Sequence, residues 1–227
     1  MNRDLVFPLI LLAVAALGCS WLNDAGTTNS VNTAGVNSNA NATNNSTSTA
    51  ATRENPAADI EAMADKFLAE RTFRAKMRGT GDKEVKTDLE FVAPDRFRLK
   101  TGPGLETVVI GKDVYLSMEG SFQKLPGAMG NSVPDLRATF NNEGRKWFSD
   151  VRFVGEETVN GKPSLVYEYK NKGEGNRGEN DSKIWVAKDD GLPLKIESRY
   201  KSGNLKTMVI EYEYDPNIKI EVPATKK

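Results

Sequence analysis

From Phe73 to Tyr214 the chain alternates apolar with polar residues in short runs, and those runs are separated by turn-forming pairs. A period of two is the signature of strands with one buried face, so this pattern restricts the chain to a sheet. The last run is the cleanest. Met208, Ile210, Tyr212 and Tyr214 share one parity, with Val209, Glu211 and Glu213 on the other. Phe73, Ala75 and Met77 alternate with charged residues, as do Leu89 with Phe91 and Phe97 with Leu99. Val108–Ile110, Val114–Met118, Val151–Phe153, Leu165–Tyr169, Ile184–Val186 and Leu194–Ile196 continue the rhythm. Asp82-Lys83, Gly102-Pro103-Gly104, Gly111-Lys112, Asn160-Gly161, Asp190-Gly191 and Gly203-Asn204 read as hairpin turns, and such short connections favour antiparallel neighbours.

A sheet of about 10–11 strands with one apolar face must close, fold over or be covered. The cover stands just before the first strand. Ile60, Met63, Ala64, Phe67 and Leu68 form the stripe of an amphipathic helix, predicted over 57–70. Asn55-Pro56 ahead of it, with Asp59 and Glu61 in the first turn, supplies a helix start. The stretch from Val133 to Phe148 breaks the rhythm and is predicted to hold a second, short helix. The fold class is therefore mainly β (α+β).

The N-terminus carries a different signal. Arg3 precedes an apolar run from Leu5 to Leu17, the length of a secretory signal peptide and short of the roughly 20 residues that span a bilayer. Ala16-Leu17-Gly18-Cys19 is similar to the lipobox of bacterial lipoproteins, and Cys19 is the only cysteine in the chain. This reading makes 1–18 a signal peptide and Cys19 the acylated first residue of the mature protein. Two or more acyl chains give durable membrane attachment. Ser20 after the cysteine implies the outer membrane rather than the inner one in diderm bacteria. Trp21-Leu22 would then rest at the membrane surface. From Asn23 to Thr52 the chain is almost wholly Asn, Thr, Ser, Ala and Gly, which cannot bury enough surface to order itself. Three regions follow: 1–18 signal peptide, 19–55 lipidated cysteine and linker, and 56–227 a single β domain.

Composition narrows the chemistry. There is no histidine, and 31 basic residues balance 31 acidic ones. Histidine-dependent nucleophilic triads, His zinc sites and internal disulfides are excluded, and no net field draws the chain to nucleic acid. A purely carboxylate enzyme, such as a glycosidase, remains open on composition, but neither Glu156-Glu157 nor Asp189-Asp190 makes an acid/base couple by itself, because adjacent strand residues face opposite ways. Gly173-Glu174-Gly175-Asn176-Arg177-Gly178 fits G-x-G-x-x-G but lies between two strand candidates, the context of a hairpin loop rather than a nucleotide site. No enzyme activity, cofactor or metal is expected.

Several segments resemble the LolA/LolB-like superfamily. Val92-Ala93-Pro94-Asp95-Arg96-Phe97-Arg98 and Val109-Ile110-Gly111-Lys112-Asp113-Val114-Tyr115 are similar to two of its hairpin motifs. Val159-Asn160-Gly161-Lys162-Pro163 and Ile184–Ile196 resemble its later strands. The superfamily includes lipoprotein carriers and receptors, mycobacterial lipid-transfer lipoproteins and the sensor domain of a sigma-factor regulator. The resemblance implies an unclosed antiparallel β half-barrel with helices over an apolar cavity. It also implies a lipid or acylated lipoprotein as ligand, in a monomer held in the cell envelope. Residues assigned to the cavity are Phe67, Phe91, Phe97, Tyr115, Phe153, Tyr167, Ile196, Ile210 and Tyr212, although a filled core demands the same apolar inner face. Pro126–Val133 and Trp147-Phe148 are candidate membrane or cargo contacts, or ordinary connections. An envelope-stress sensor binding a protein partner, and a structural lipoprotein with a filled core, are the competing readings.

Overall fold

The computed structural model describes residues 53–118, 120–125, 137–172 and 179–225. The expected signal peptide, Cys19, Trp21-Leu22, the linker up to Thr52, the whole Pro126–Val133 loop and the Gly173–Gly178 motif lie outside the described residues, whereas the boundary near Pro56 falls within them.

Helix α1 (Pro56–Ala69) starts where the sequence places it. Asn55 accepts a hydrogen bond from the Ala58 amide at 3.1 Å, and Pro56 fills a first-turn position that needs no donor. Eleven strands follow: β1 (Thr72–Gly81), β2 (Val85–Val92), β3 (Arg96–Thr101), β4 (Leu105–Ile110), β5 (Asp113–Met118), β6 (Ser121–Leu125), β7 (Phe148–Val159), β8 (Lys162–Asn171), β9 (Asn180–Ala187), β10 (Pro193–Tyr200) and β11 (Leu205–Glu213). A 3-10 turn (Ala138–Phe140) and a short helix, α2 (Asn142–Arg145), occupy the expected interruption. Every predicted hairpin turn joins two neighbouring strands. At Asn160-Gly161 both residues have positive φ, 50° and 79°, as a two-residue hairpin loop requires.

The strands form one open sheet in the order β6-β5-β4-β3-β2-β1-β11-β10-β9-β8-β7. All neighbours in it are antiparallel. Each half is a run of consecutive hairpins, and among the described residues the strands of the two halves pair only where the first strand meets the last, from Arg74↔Glu213 to Gly81↔Leu205. The edges β6 and β7 do not pair with each other, so the half-barrel is unclosed.

Register separates the two faces. Phe73, Ala75 and Met77 pair with Phe91, Leu89 and Thr87 on one side and with Ile210 and Tyr212 on the other, and this inner face receives Ile60, Met63, Ala64 and Phe67 of α1. The outer face is not uniformly polar. Val108 and Tyr115 are buried there with Ile218 and Ile220 of the C-terminal segment, and Val92, Ile110 and Phe122 border them. Arg96 donates to the Ile220 carbonyl at 2.7 Å, and Phe122 bridges Thr225 in parallel. This corrects one expectation. Tyr115 pairs with Val108, whereas Val109 and Val114 share the parity of Phe97, so Tyr115 points away from the inner face.

Phe67 is 0% exposed and central to the inner cluster. Phe67→Ala is expected to cost about 3–5 kcal/mol, as a large buried ring replaced by a cavity does. Urea unfolding of the variant checks this.

Candidate functional site

The candidate site is the layer between α1 and the inner face of the sheet. Aromatic rings run through it in series. Phe67 of α1 stands 5.1 Å from Phe73, 5.2 Å from Tyr212 and 5.5 Å from Phe140, between ring centroids. Phe73 continues to Phe91 and Phe91 to Phe97, each at 5.1 Å. On the other wing Phe140 approaches Phe148, Phe148 lies 4.7 Å from Tyr169, and Phe153 lies 5.5 Å from Tyr167. These offset and edge-on contacts suit ring quadrupoles better than face-to-face stacking does.

Of the residues singled out from the sequence, Phe67, Phe91, Tyr167, Ile196 and Tyr212 are buried in this layer, and Phe97, Phe153 and Ile210 are half-buried against it. Tyr115 is not part of it. Sequence reading did not single out Phe73, Phe140 or Tyr169 as site residues, and it named Phe148 only as part of a candidate interfacial pair with Trp147. Phe73 shares the parity of Ala75 and Met77 and was within reach. Phe140 sits in an aperiodic stretch with no signal.

The layer is filled by the chain's own side chains. Two surface depressions, of about 210 and 340 Å³, are bordered by charged residues such as Arg74, Lys76, Asp88 and Lys162 rather than by the apolar stripe of α1.

What holds α1 over the sheet is apolar at its centre and polar at its margins. At the N-terminal margin the Tyr167 hydroxyl donates to Asp59 Oδ2 at 2.8 Å, and Arg53 Nε donates to the same oxygen at 2.6 Å. At the C-terminal margin Lys66 Nζ donates to the Asp190 carbonyl at 2.7 Å, lying across Gly191, where a Cβ would collide with the lysine. Arg145 pairs with Asp65 at 2.8 Å, and Arg137 donates to the Leu68 carbonyl while its guanidinium lies over the Phe91 ring. Partial burial alone would raise the Asp59 carboxyl, but the hydrogen bonds from Arg53 and Tyr167 outweigh it and hold the group below its ordinary value. Burial, reinforced by Asp59, pushes the Tyr167 hydroxyl up, so it stays a donor. Burial likewise raises Tyr169, to about 12. Among the described residues no group of His, Cys, Asp or Glu side chains is arranged to hold a metal ion. No helix among them is long and apolar enough to cross a membrane.

The Asp59 tie makes a pH prediction. A carboxyl whose folded value lies below its unfolded one stabilises the fold above the unfolded value, and that contribution disappears as pH falls through the folded value. The melting-temperature gap between the wild type and Asp59→Asn should be full near about pH 6 and should close below about pH 4. Scanning calorimetry across that range checks it.

No protein-family model matches the chain, and no curated protein sequence matches it. Solved structures do. The lipoprotein LppX of Mycobacterium tuberculosis is similar over 73% of this chain and 98% of its own, at 12% identity and a TM-score of 0.57. LprF of Mycobacterium bovis is similar over 76% of this chain and 99% of its own, at 11% identity and a TM-score of 0.55. Likeness at such low identity speaks for the fold alone. The chain shares the fold of these two structures: an unclosed antiparallel half-barrel with a helix laid on its apolar face.

Proposed function

We propose that this protein is a membrane-tethered lipoprotein of the bacterial cell envelope that takes a lipid, or the acyl chains of a lipoprotein, between α1 and the inner face. The observation that carries the reading is the construction of that layer. An apolar helix stripe lies on a continuous aromatic and aliphatic face, and the polar ties that fix it sit only at its margins. The lipoprotein identity of LppX, which shares this fold across nearly its whole length, supports it.

The mechanism is displacement. Removing Ile60, Met63 and Phe67 from the face costs roughly 1.5–3 kcal/mol each, about 5–9 kcal/mol together. An acyl chain of about sixteen carbons, at about 0.8 kcal/mol per buried CH₂, gains about 12 kcal/mol relative to water. The exchange is favourable by a small margin, as suits a carrier that must also release its cargo. No step needs catalysis or a cofactor. In this reading Cys19, left as the first residue by removal of 1–18, carries the acyl chains that anchor the protein, with Ser20 directing it to the outer membrane. The segment 19–55, with a reach on the order of 30 Å over its low-complexity part, lets the domain work near that membrane.

A second reading is favoured by one specific observation. The layer is already full, with Phe67, Phe73 and Tyr212 at 5% exposure or less, which is what a structural lipoprotein with a filled core would show.

Mass spectrometry of residues 53–227, expressed in a bacterial periplasm, separates the two. Native spectra of the gently purified domain should show a bound lipid or acylated peptide that an organic extract releases. A domain that stays empty, and also takes up nothing from lipid vesicles, would leave the filled-core reading. Ile210→Glu, at a half-buried inner position, should preserve the fold and reduce retention of the copurified lipid at least about tenfold, read in the same spectra.

A further inference from the structure

The inner face changes character toward the strand ends farthest from the Asp190-Gly191 turn. Register places Tyr167, Ile184 and Ile196 in one row across β8–β10, and the next row outward is Tyr169, Ser182 and Ser198. Beyond it come Asn171, Asn180 and Tyr200. All of these side chains share the inner parity, and none carries a charge. The outward positions between them are Glu168, Lys170, Asp181, Lys183, Glu197 and Arg199, each of them charged. Charge is thus confined to one face, and hydroxyls and amides occupy the other.

The polar row is connected. Ser182 Oγ donates to Asn180 Oδ1 at 2.7 Å, which leaves the Ser198 hydroxyl to donate to Ser182 Oγ at 2.8 Å. Tyr169 stands directly opposite Ser182 in the same row. Asn180, Ser182 and Tyr169 are buried, whereas Ser198 and Tyr200 are half-buried and keep a side toward solvent. Ser198 Oγ retains lone pairs for an incoming donor. A sheet that only needed a core would continue Ile184 and Ile196 with more aliphatics, since buried hydroxyls gain little over apolar groups of the same shape.

We infer that Tyr169, Asn180, Ser182 and Ser198 form a polar subsite that takes the uncharged hydroxyl and ester portion of a glyceryl lipid whose chains lie on the neighbouring apolar rows. This rests on the proposed acyl site. The absence of any inward cation on β8–β10 argues against a phosphate head, which would lose its hydration without a partner. Free diacylglycerol carries both that hydroxyl and the two esters, whereas the diacylglyceryl cysteine of a lipoprotein carries the two esters alone, its third glyceryl carbon being bonded to sulfur.

The test is equilibrium binding of three fluorescent probes to the full chain: a diacylglycerol, the phosphatidic acid with the same chains, and a diacylated lipopeptide. The wild type should hold the diacylglycerol or the lipopeptide at least about tenfold more tightly than the phosphatidic acid. Ser182→Ala/Ser198→Ala should remove most of that preference while retaining the phosphatidic acid unchanged, and Ser198→Thr, which keeps the hydroxyl, should restore it. The tighter of the two glyceryl ligands identifies the source. Uptake without the preference, or a preference that survives the double substitution, overturns the subsite and leaves the acyl site standing. Failure of the wild type to take up any probe overturns both.

Discussion

One ring holds the architecture together. Phe67 reaches from α1 to Phe73 on the first strand, to Tyr212 on the last and to Phe140 in the insertion. The pairing of the first and last strands is also the one strand-to-strand seam between two separately built hairpin wings among the described residues. The helix therefore sits over the place where the chain's two halves must meet. Burial of one phenyl ring and pairing of β1 with β11 are consequences of the same packing. Remove the helix and the seam loses its cover, and an open sheet of this width exposes an apolar face along its middle.

The same arrangement makes α1 separable in principle. Its apolar stripe is non-directional and can be replaced by any chain of similar volume, while its polar ties are few and peripheral. Surface-type ion pairs of this kind contribute little each. The Asp59 and Lys66 contacts therefore orient the helix more than they bind it. Under the proposed function, this division of labour is what would let a filled layer and an acyl site be the same object, with the side chains of α1 standing where the methylenes of a ligand would lie.

Much of this was legible in the sequence, and the gaps have physical reasons. Alternation located the strands, and Asn160-Gly161 and the other turn pairs located the hairpins, because those turns need residues that tolerate positive φ or break a ladder. The stripe from Ile60 to Leu68 gave α1, and Asn55 its start. Tyr115 was misplaced because Val108-Val109 and Val114-Tyr115 put apolar residues on both parities, and period two cannot choose between faces when both are covered. The outer face there is covered by Ile218 and Ile220, a segment without strand or helix periodicity that follows the last recognisable strand. Phe140 was missed for a similar reason. Phe148 sat in the candidate Trp147-Phe148 pair and proves to be an inner-face ring, in contact with Tyr169. The change from aliphatic to hydroxyl rows on β8–β10 was visible as residues but became a feature only when register aligned Tyr169, Ser182 and Ser198.

The central claim is that α1 opens as a unit while the sheet stays folded, and native-state hydrogen exchange reads it most directly. Amides of α1 between Ile60 and Leu68 should exchange through a local opening whose free energy lies below that of β1, β10 and β11 and is nearly independent of denaturant. A bound acyl ligand should slow that exchange. If instead α1 exchanges only with global unfolding, at the same free energy and denaturant dependence as β1 and β11, the helix is an inseparable part of a filled core and the account of a displaceable cover is wrong.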